Sequence, residues 1–449
     1  MDDSRPRFAR FILDEIGSIR SPGKFERQLW AWIEHGPREN RESFRNEHGP
    51  SFSFVDFSEH RQLLKKAKSG VFAWALASVR ILRSTLLQST AYNPKMTNFS
   101  IAVIPGDGVG QEVVPAALTV LKRIGQKYDV EFTFDNYEWG SDYYLQHGQM
   151  MPADALDKLR ASDAILLGAI GHPDIPDNVT LNGLLLPIRR AFDQFANVRP
   201  AVLYEGVQSP LAGRKGGDIN MVVVRENTEG EYAQVGGFLY HDQPEEVAIQ
   251  TAVFTRRGIE RVVRFSFELA RNRNKKKRVT SITKSNAQGY GMVLWDRVFQ
   301  SVASEYPEIE TESLLVDAAA MNFVRRPETF DVVVGSNLFG DILSDLSAIV
   351  VGSIGLAASA NLDPTRRFPS MFEPVHGSAP DIAGRGIANP LATIVSAGMM
   401  LDHLGLEEAA RLVDGSVTAV LADGKARTPD LGGTATTADV IAAVLEKIG

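Results

Sequence analysis

Phe99-Ser-Ile-Ala-Val-Ile-Pro-Gly-Asp-Gly-Val-Gly110 is the stretch on which the reading of this chain turns. A short apolar strand runs into three glycines within five residues, and a helical pattern follows from Gln111 to about Gly125. Strand, glycine loop and helix is the layout of a phosphate-binding turn, because the amides of a helix N-terminus point into the loop. Here the spacing is G-x-G-x-G, and no acidic residue ends a second strand ~20 positions on, as a dinucleotide-binding unit requires. A tight strand-to-helix turn explains the same residues. No Rossmann domain is assigned.

Downstream, apolar runs predict strands at 130–137, 163–169, 219–225, 278–283, 313–317 and 330–335. Helical periodicity covers 152–160, 181–195, 256–272, 287–304, 339–349 and 391–404. Alternating strands and helices predict an α/β architecture.

Composition narrows the function classes. The 449 residues contain no cysteine, which excludes disulfides, thiolate zinc sites, iron–sulfur clusters and cysteine nucleophiles. The net charge of −7 argues against a nucleic-acid binder, and no apolar run approaches the ~20 residues of a membrane span. That charge is an average. Residues 1–95 hold 16 Lys+Arg against 11 Asp+Glu, a net of +5, and the remaining 354 residues hold 32 against 44, a net of −12. The front reads as a basic, partly disordered extension or as upstream sequence read through from an early start, with Met96 as the expected functional start. Asp2, Asp3, Asp14 and Glu15 oppose a secretory or mitochondrial leader, so a cytoplasmic location is expected.

Five constellations carry chemistry. Arg189 and Arg199 lie ten residues apart, and Arg225 ends the apolar run Ile219–Val224 in Arg225-Glu-Asn-Thr-Glu-Gly-Glu-Tyr232. Guanidinium forks bind carboxylates bidentately, so three suit a small polycarboxylate, although each alone is more often a surface ion pair. Asp341 and Asp345, in Asn337-Leu-Phe-Gly-Asp-Ile-Leu-Ser-Asp345, share a helix face beside apolar residues. They make either a solvated helix start or, with Asp317 after its own apolar strand, a hard oxygen site for Mg²⁺ or Mn²⁺. Lys284 follows another strand and suits either a base near a metal or an exposed surface position. Finally, Glu373-Pro-Val-His-Gly-Ser-Ala-Pro-Asp381 is a ligand-binding type of loop, whose aspartate suits ribose hydroxyls and repels a 2′-phosphate.

Together these segments resemble the β-decarboxylating dehydrogenases, the family of isocitrate, 3-isopropylmalate and tartrate or D-malate dehydrogenases. The resemblance runs from about Ile101 to the C-terminus and leaves residues 1–95 uncovered. It implies an α/β fold of two domains sharing a mixed sheet, with 96–195 and 351–449 as a large cofactor-binding domain. Residues 196–350 would form a small domain for dimerisation, metal binding and catalysis, in a homodimer whose active sites are shared. It implies that Arg189, Arg199 and Arg225 grip the substrate carboxylates. Asp341 and Asp345 would hold Mg²⁺ or Mn²⁺ with the neighbour's Asp317. The neighbour's Lys284 would assist deprotonation of the C2 hydroxyl, and Tyr232 would protonate the enol carbon. His376, Gly377, Ser378, Ala379, Pro380, Asp381 and Asn389 would bind NAD, and K⁺ is a further candidate cation. The anionic substrate would be drawn by local arginines and metal, against the sign of the overall charge.

Gly183 and Leu185 stand where isocitrate enzymes usually place Ser and Asn, which disfavours isocitrate. Ile188-Arg-Arg-Ala-Phe-Asp-Gln-Phe195, Phe254-Thr-Arg-Arg-Gly-Ile-Glu-Arg261, Lys276-Lys-Arg-Val-Thr-Ser-Ile-Thr-Lys-Ser-Asn286 and Ser359-Ala-Asn-Leu362 resemble the tartrate/D-malate branch. Asn182 departs from it, since that branch often has Trp there, facing the C3 substituent. Leu185 and Leu186 would tolerate an isopropyl group, so 3-isopropylmalate is the alternative substrate. A non-catalytic regulatory subunit of an isocitrate dehydrogenase is disfavoured, because all eight site residues are kept.

Overall fold

The computed structural model describes residues 97–449, and the expectations about residues 1–95 and a start at Met96 lie outside the described residues. Strand β1 (Thr97–Gly106) pairs in parallel with β2 (Val130–Asn136) on one side and β3 (Ala164–Ala169) on the other. Its residues Ile101 to Ile104 are wholly buried, which is why the run is apolar throughout instead of alternating. Ile101 and Val103 enter the core on one face of the sheet, Ala102 and Ile104 the core on the other.

The glycine turn that follows is a scaffold. Gly106 and Gly108 have φ of +69° and +53°, and a Cβ on Gly108 would lie 2.1 Å from the carbonyl oxygen of Ser378. Val109 N–H donates to that same carbonyl at 2.8 Å. Asp107 accepts from Ser141 N–H at 2.7 Å, Ser141 Oγ at 2.6 Å and Gly171 N–H at 2.8 Å. The turn thus docks loop to loop before helix α1 (Gly110–Tyr128) begins.

The other strands are β4 (Ala196–Val202), β5 (Asn220–Glu226), the separate hairpin β6 (Gly236–Leu239) and β7 (Val247–Gln250), then β8 (Arg278–Thr283), β9 (Glu310–Leu315), β10 (Val332–Gly335), β11 (Ala358–Leu362) and β12 (Ser370–Pro374). Ten of them form one sheet in the order β2-β1-β3-β12-β11-β4-β5-β10-β8-β9. Both ends of the sheet are parallel, while the pairings β12–β11, β11–β4 and β4–β5 at its centre are antiparallel. The sheet is mixed, so the α/β expectation and the exclusion of a Rossmann domain both hold.

Helices cover the faces: α2 (Leu186–Ala191), α3 (Arg256–Arg273), α4 (Gly291–Ala303), α5 (Val316–Arg325), α6 (Asn337–Val350), α7 (Leu391–His403), α8 (Glu407–Asp423) and α9 (Thr437–Ile448). One apolar core is drawn from residues 195–351 and includes Phe267, Trp295 and Phe323. A second combines Ile101–Leu166 with Leu356–Ile448, joining the two ends of the described chain.

Two expectations need correction. The helix expected over 181–195 is a π-helical turn at Leu181–Leu185, then α2, and the chain is already extended at Ala196. The strand expected over 313–317 ends at Leu315, which puts Asp317 in the first turn of α5.

Candidate active site

The cluster collects where β4, the C-terminal end of β5 and the helix after β10 meet. Helix α6 leaves β10 and packs against β5 at Gly340, where an added Cβ would come within 2.6, 2.8 and 2.9 Å of the Cβ, Cγ and Cα of Arg225. Only glycine allows this approach, and it brings the next residue, Asp341, into direct contact with Arg225. Arg199 projects from β4 onto the same helix. Its Nη1 donates to Asp341 Oδ1 at 3.2 Å, Asp345 Oδ1 at 3.2 Å and Ser344 Oγ at 2.8 Å. Tyr232 Oη donates to the other oxygen of Asp341 at 2.8 Å, and its ring lies 5.2 Å from the Arg225 guanidinium. Arg199, Arg225, Tyr232, Asp341 and Asp345 therefore form one connected cluster.

Burial sets the protonation states. It pushes Tyr232 up to about 12, reinforced by the adjacent Asp341 carboxylate, so the phenol keeps its proton across the neutral range. Burial also draws Arg225 down to about 10, against the pull of Asp341. Burial would raise Asp341 too, but Arg225, Arg199 and the Tyr232 hydroxyl outweigh it and hold the carboxyl below its ordinary value. Asp345 goes the other way, raised by burial and by Asp341 despite Arg199.

Arg189, on α2, is not bonded to this cluster. It is 3% exposed and donates through Nη2 to Glu373 Oε1 of β12 at 2.6 Å, yet its charge reaches both Arg225 and Asp341. The Nε atoms of Arg189 and Arg199 are buried with no hydrogen-bond partner. Unpaired buried donors on guanidinium groups are costly, and an anion that reached them would remove that cost.

Lys284 and Asp317 pair with each other at 2.6 Å, 30% and 57% exposed, and Lys284 holds the Asp317 carboxyl below its ordinary value. No hydrogen bond or ion pair among the described residues links this pair to the arginine–aspartate cluster.

Of the loop His376–Asp381, residues Gly377–Pro380 face residues 170–177 across a groove of about 770 Å³ lined by Ile170, Gly171, His172, Gly377, Ser378 and Pro380, while His376 and Asp381 are outside its lining. A Cβ added at Gly377 would meet open space, and Asp381 is exposed. His376 Nδ1 lies 3.0 Å from the Gly377 carbonyl, and burial lowers its pKa, so the ring is neutral near pH 7. Asn389 sits apart, 7% exposed. Its amide donates to Asp430 at 3.0 Å and accepts from the Leu391 N–H at 3.0 Å, so both its polar atoms are engaged within the fold.

Sequence reasoning missed the wall formed by 170–177 and the partners of the arginines. Glu373 and Asn337 both stand inside stretches singled out in the sequence, but their roles depend on contacts made across the sheet. Leu185 also differs from expectation. It packs into the core with Met150 and Ile188, which leaves Leu181 and Asn182 as the exposed residues of that turn.

The family model for isocitrate/isopropylmalate dehydrogenases matches residues 100–444. A probable tartrate dehydrogenase/decarboxylase of Agrobacterium vitis is 50% identical over 354 residues, 79% of this chain and 98% of that protein. The D-malate dehydrogenase (decarboxylating) of Escherichia coli K12 is 49% identical over 360 residues, 79% of this chain and 99% of that protein. The crystal structure of isocitrate dehydrogenase from Methylococcus capsulatus matches with a TM-score of 0.71 at 38% identity, covering 78% of this chain and 99% of that one.

Proposed function

We propose that this chain, which belongs to the isocitrate/isopropylmalate dehydrogenase family, oxidises a small 2-hydroxy dicarboxylate such as D-malate or tartrate with NAD⁺ and a divalent metal, and decarboxylates the product. The observation that carries this reading is the connected cluster of Arg199, Arg225, Tyr232, Asp341 and Asp345, with unpartnered buried guanidinium nitrogens beside it.

The charge count supports a metal. Arg189, Arg199 and Arg225 are balanced by Asp341, Asp345 and Glu373. A divalent cation would leave an excess of two positive charges, which matches a dicarboxylate. Asp341 and Asp345 offer hard oxygens from one helix face, the donor chemistry that suits Mg²⁺ or Mn²⁺, and Asp317 of a second copy would add a third. Such an ion would supply Lewis acidity at the C2 oxygen and at the forming enolate. NAD⁺, held in the 770 Å³ groove, would supply the hydride acceptor.

The chain's own residues then have distinct tasks. The arginines fix the two carboxylates and so aim C2. Lys284 from a second copy takes the proton of the C2 hydroxyl as C2 gives up its hydride. The bond from C3 to its carboxylate breaks, CO₂ leaves, and Tyr232, still protonated, delivers a proton to C3. The second copy is supported by the surface around Lys284 and Asp317. Tyr290 is 94% exposed there, and Met321 and Val324, on the helix that carries Asp317, are also exposed. Asn182 and Gln234, bonded at 2.5 Å, put a polar pair on the turn before Arg189, which favours a small or hydroxylated C3 over an isopropyl group.

Steady-state turnover of D-malate, tartrate and 3-isopropylmalate with NAD⁺ and Mn²⁺ tests this. We expect D-malate or tartrate to lead in kcat/KM. A kcat/KM led by 3-isopropylmalate would overturn the substrate assignment, and activity unaffected by EDTA would overturn the metal.

A further inference from the structure

Three parts of the cluster come from separate segments: Arg225 from β5, Tyr232 from the strap that follows it, and Asp341 from α6. One side chain touches all three segments. Asn337 is the first residue of α6, one helical turn before Asp341, and is 2% exposed. Its Oδ1 accepts from Arg225 Nε at 3.0 Å and from Nη2 at 2.7 Å. Its Nδ2 donates to the Glu229 carbonyl at 2.8 Å.

Each half of the amide has a consequence. A guanidinium held at Nε and Nη2 cannot swing about its own stem, so its Nη1 edge stays turned toward Asp341. The strap held at Glu229 cannot lift off the helix, and it passes close enough that a Cβ on Gly230 would lie 3.2 Å from the Asn337 Cβ. Glu231 adds a second tie, accepting from Ser336 Oγ at 2.7 Å and from Leu338 N–H at 3.1 Å. Tyr232 is the next residue, and its hydroxyl reaches Asp341.

We infer that Asn337 is a positioning residue that sets two separable quantities: its oxygen orients Arg225 for substrate binding, and its N–H₂ group places the Tyr232 hydroxyl for proton delivery. The inference rests on the proposed roles of Arg225 and Tyr232. Because the halves act on different steps, they predict a split between KM and kcat, which a merely structural contact would not give.

The experiment compares Asn337→Ala, which removes both halves, with Asn337→Asp, which keeps the acceptor and removes the donor. Both are assayed beside the parent for KM and kcat on D-malate, for KM of NAD⁺, for tartrate affinity by calorimetry with Mn²⁺, and for Tm. We expect Asn337→Ala to raise the diacid KM and tartrate Kd by about 10- to 100-fold, the scale of a buried charged donor left unpaired. Asn337→Asp keeps the acceptor but adds a negative charge beside Arg225, which by the charge count weakens diacid binding. With the acceptor kept it should still bind the diacid at least about 3-fold more tightly than Asn337→Ala, while kcat stays about 10-fold down because the Glu229 tie is broken. KM for NAD⁺ should not move in either variant. Equal losses of diacid binding in Asn337→Ala and Asn337→Asp, or losses of kcat, KM and NAD⁺ binding in step with Tm, would overturn the inference. A parent that turns over none of the diacids would sink the proposed function instead, while the tartrate arm still tests the acceptor half. A parent that neither binds nor turns over any diacid would overturn both.

Discussion

The arginine–aspartate cluster and the Lys284–Asp317 pair both set basic side chains against aspartates near neighbouring strand ends, yet their connections differ. The first is anchored by buried arginines, with Asp345 at its exposed edge, and knits β4, β5, the strap and α6 into one hydrogen-bonded unit. The second is an isolated, half-exposed pair beside uncovered apolar side chains. One region is wired within a single chain except for the unpartnered Nε of Arg199, and the other has no hydrogen bond or ion pair to it among the described residues. The contrast teaches which part of the proposed site a single chain wires by itself.

The largest effect should come from setting the two regions against each other. Tyr232→Phe and Lys284→Ala should each lower kcat by about 10²- to 10⁴-fold, the usual span for a lost proton donor or acceptor. If the pair serves a second copy, mixing and reassociating the two inactive proteins restores one intact site per hybrid dimer, about a quarter of parental activity. Mixed samples as inactive as their components would show that each site is built from one chain.

A second test concerns Glu226, which follows Arg225 and is buried in the knitted region. Burial pushes its carboxyl up to about 7, against the N–H groups of Thr228 and Glu229 that favour the ionised form. A raised acid binds its proton more tightly in the folded state, so its contribution is full below about pH 4.5 and is lost as pH rises through about 7. Urea unfolding at pH 5 and pH 8 should therefore show a smaller loss of stability in Glu226→Gln than in the parent, by up to about 3 kcal/mol. Equal losses would mean that the buried region does not hold this proton.

The smallest effect belongs to the exposed pair. Asp317→Asn should change the stability of the folded chain by less than about 1 kcal/mol, as for other half-exposed ion pairs, although activity falls. A loss of several kcal/mol in urea melts would place the pair among the structural contacts.

Legibility in the sequence follows the same division. Strands β1, β3, β5 and β10 announce themselves because their faces are covered and their runs largely apolar, and β8 through its β-branched Val279, Thr280, Ile282 and Thr283. Strands β4 and β11 do not, because they bury polar side chains that satisfy one another: Asn197 donates to Ser359 Oγ at 2.8 Å and to Asn361 Oδ1 at 2.9 Å. Hydropathy counts such residues as loop. The π-helical turn at 181–185 keeps a helical apolar pattern and so hides inside the expected helix. Charged site residues stand out when they end an apolar run, as Arg225 does. Asn337 and Glu373 carry no such signal, since an amide or acid next to a turn has many uses and only its partners fix which one applies.

The contact between Gly108 and Ser378 has a consequence for the order of assembly. The cluster of Arg199, Arg225, Tyr232, Asp341 and Asp345 lies wholly within residues 199–345, and a growing chain holds all of it before the last hundred residues emerge. The groove wall at Gly171 must wait for the segment around Ser378, and the core under it waits for α7 to α9. The arginine–aspartate cluster can therefore be complete in the growing chain first, and the groove between residues 170–177 and 377–380 closes only when the tail folds back onto the first strand.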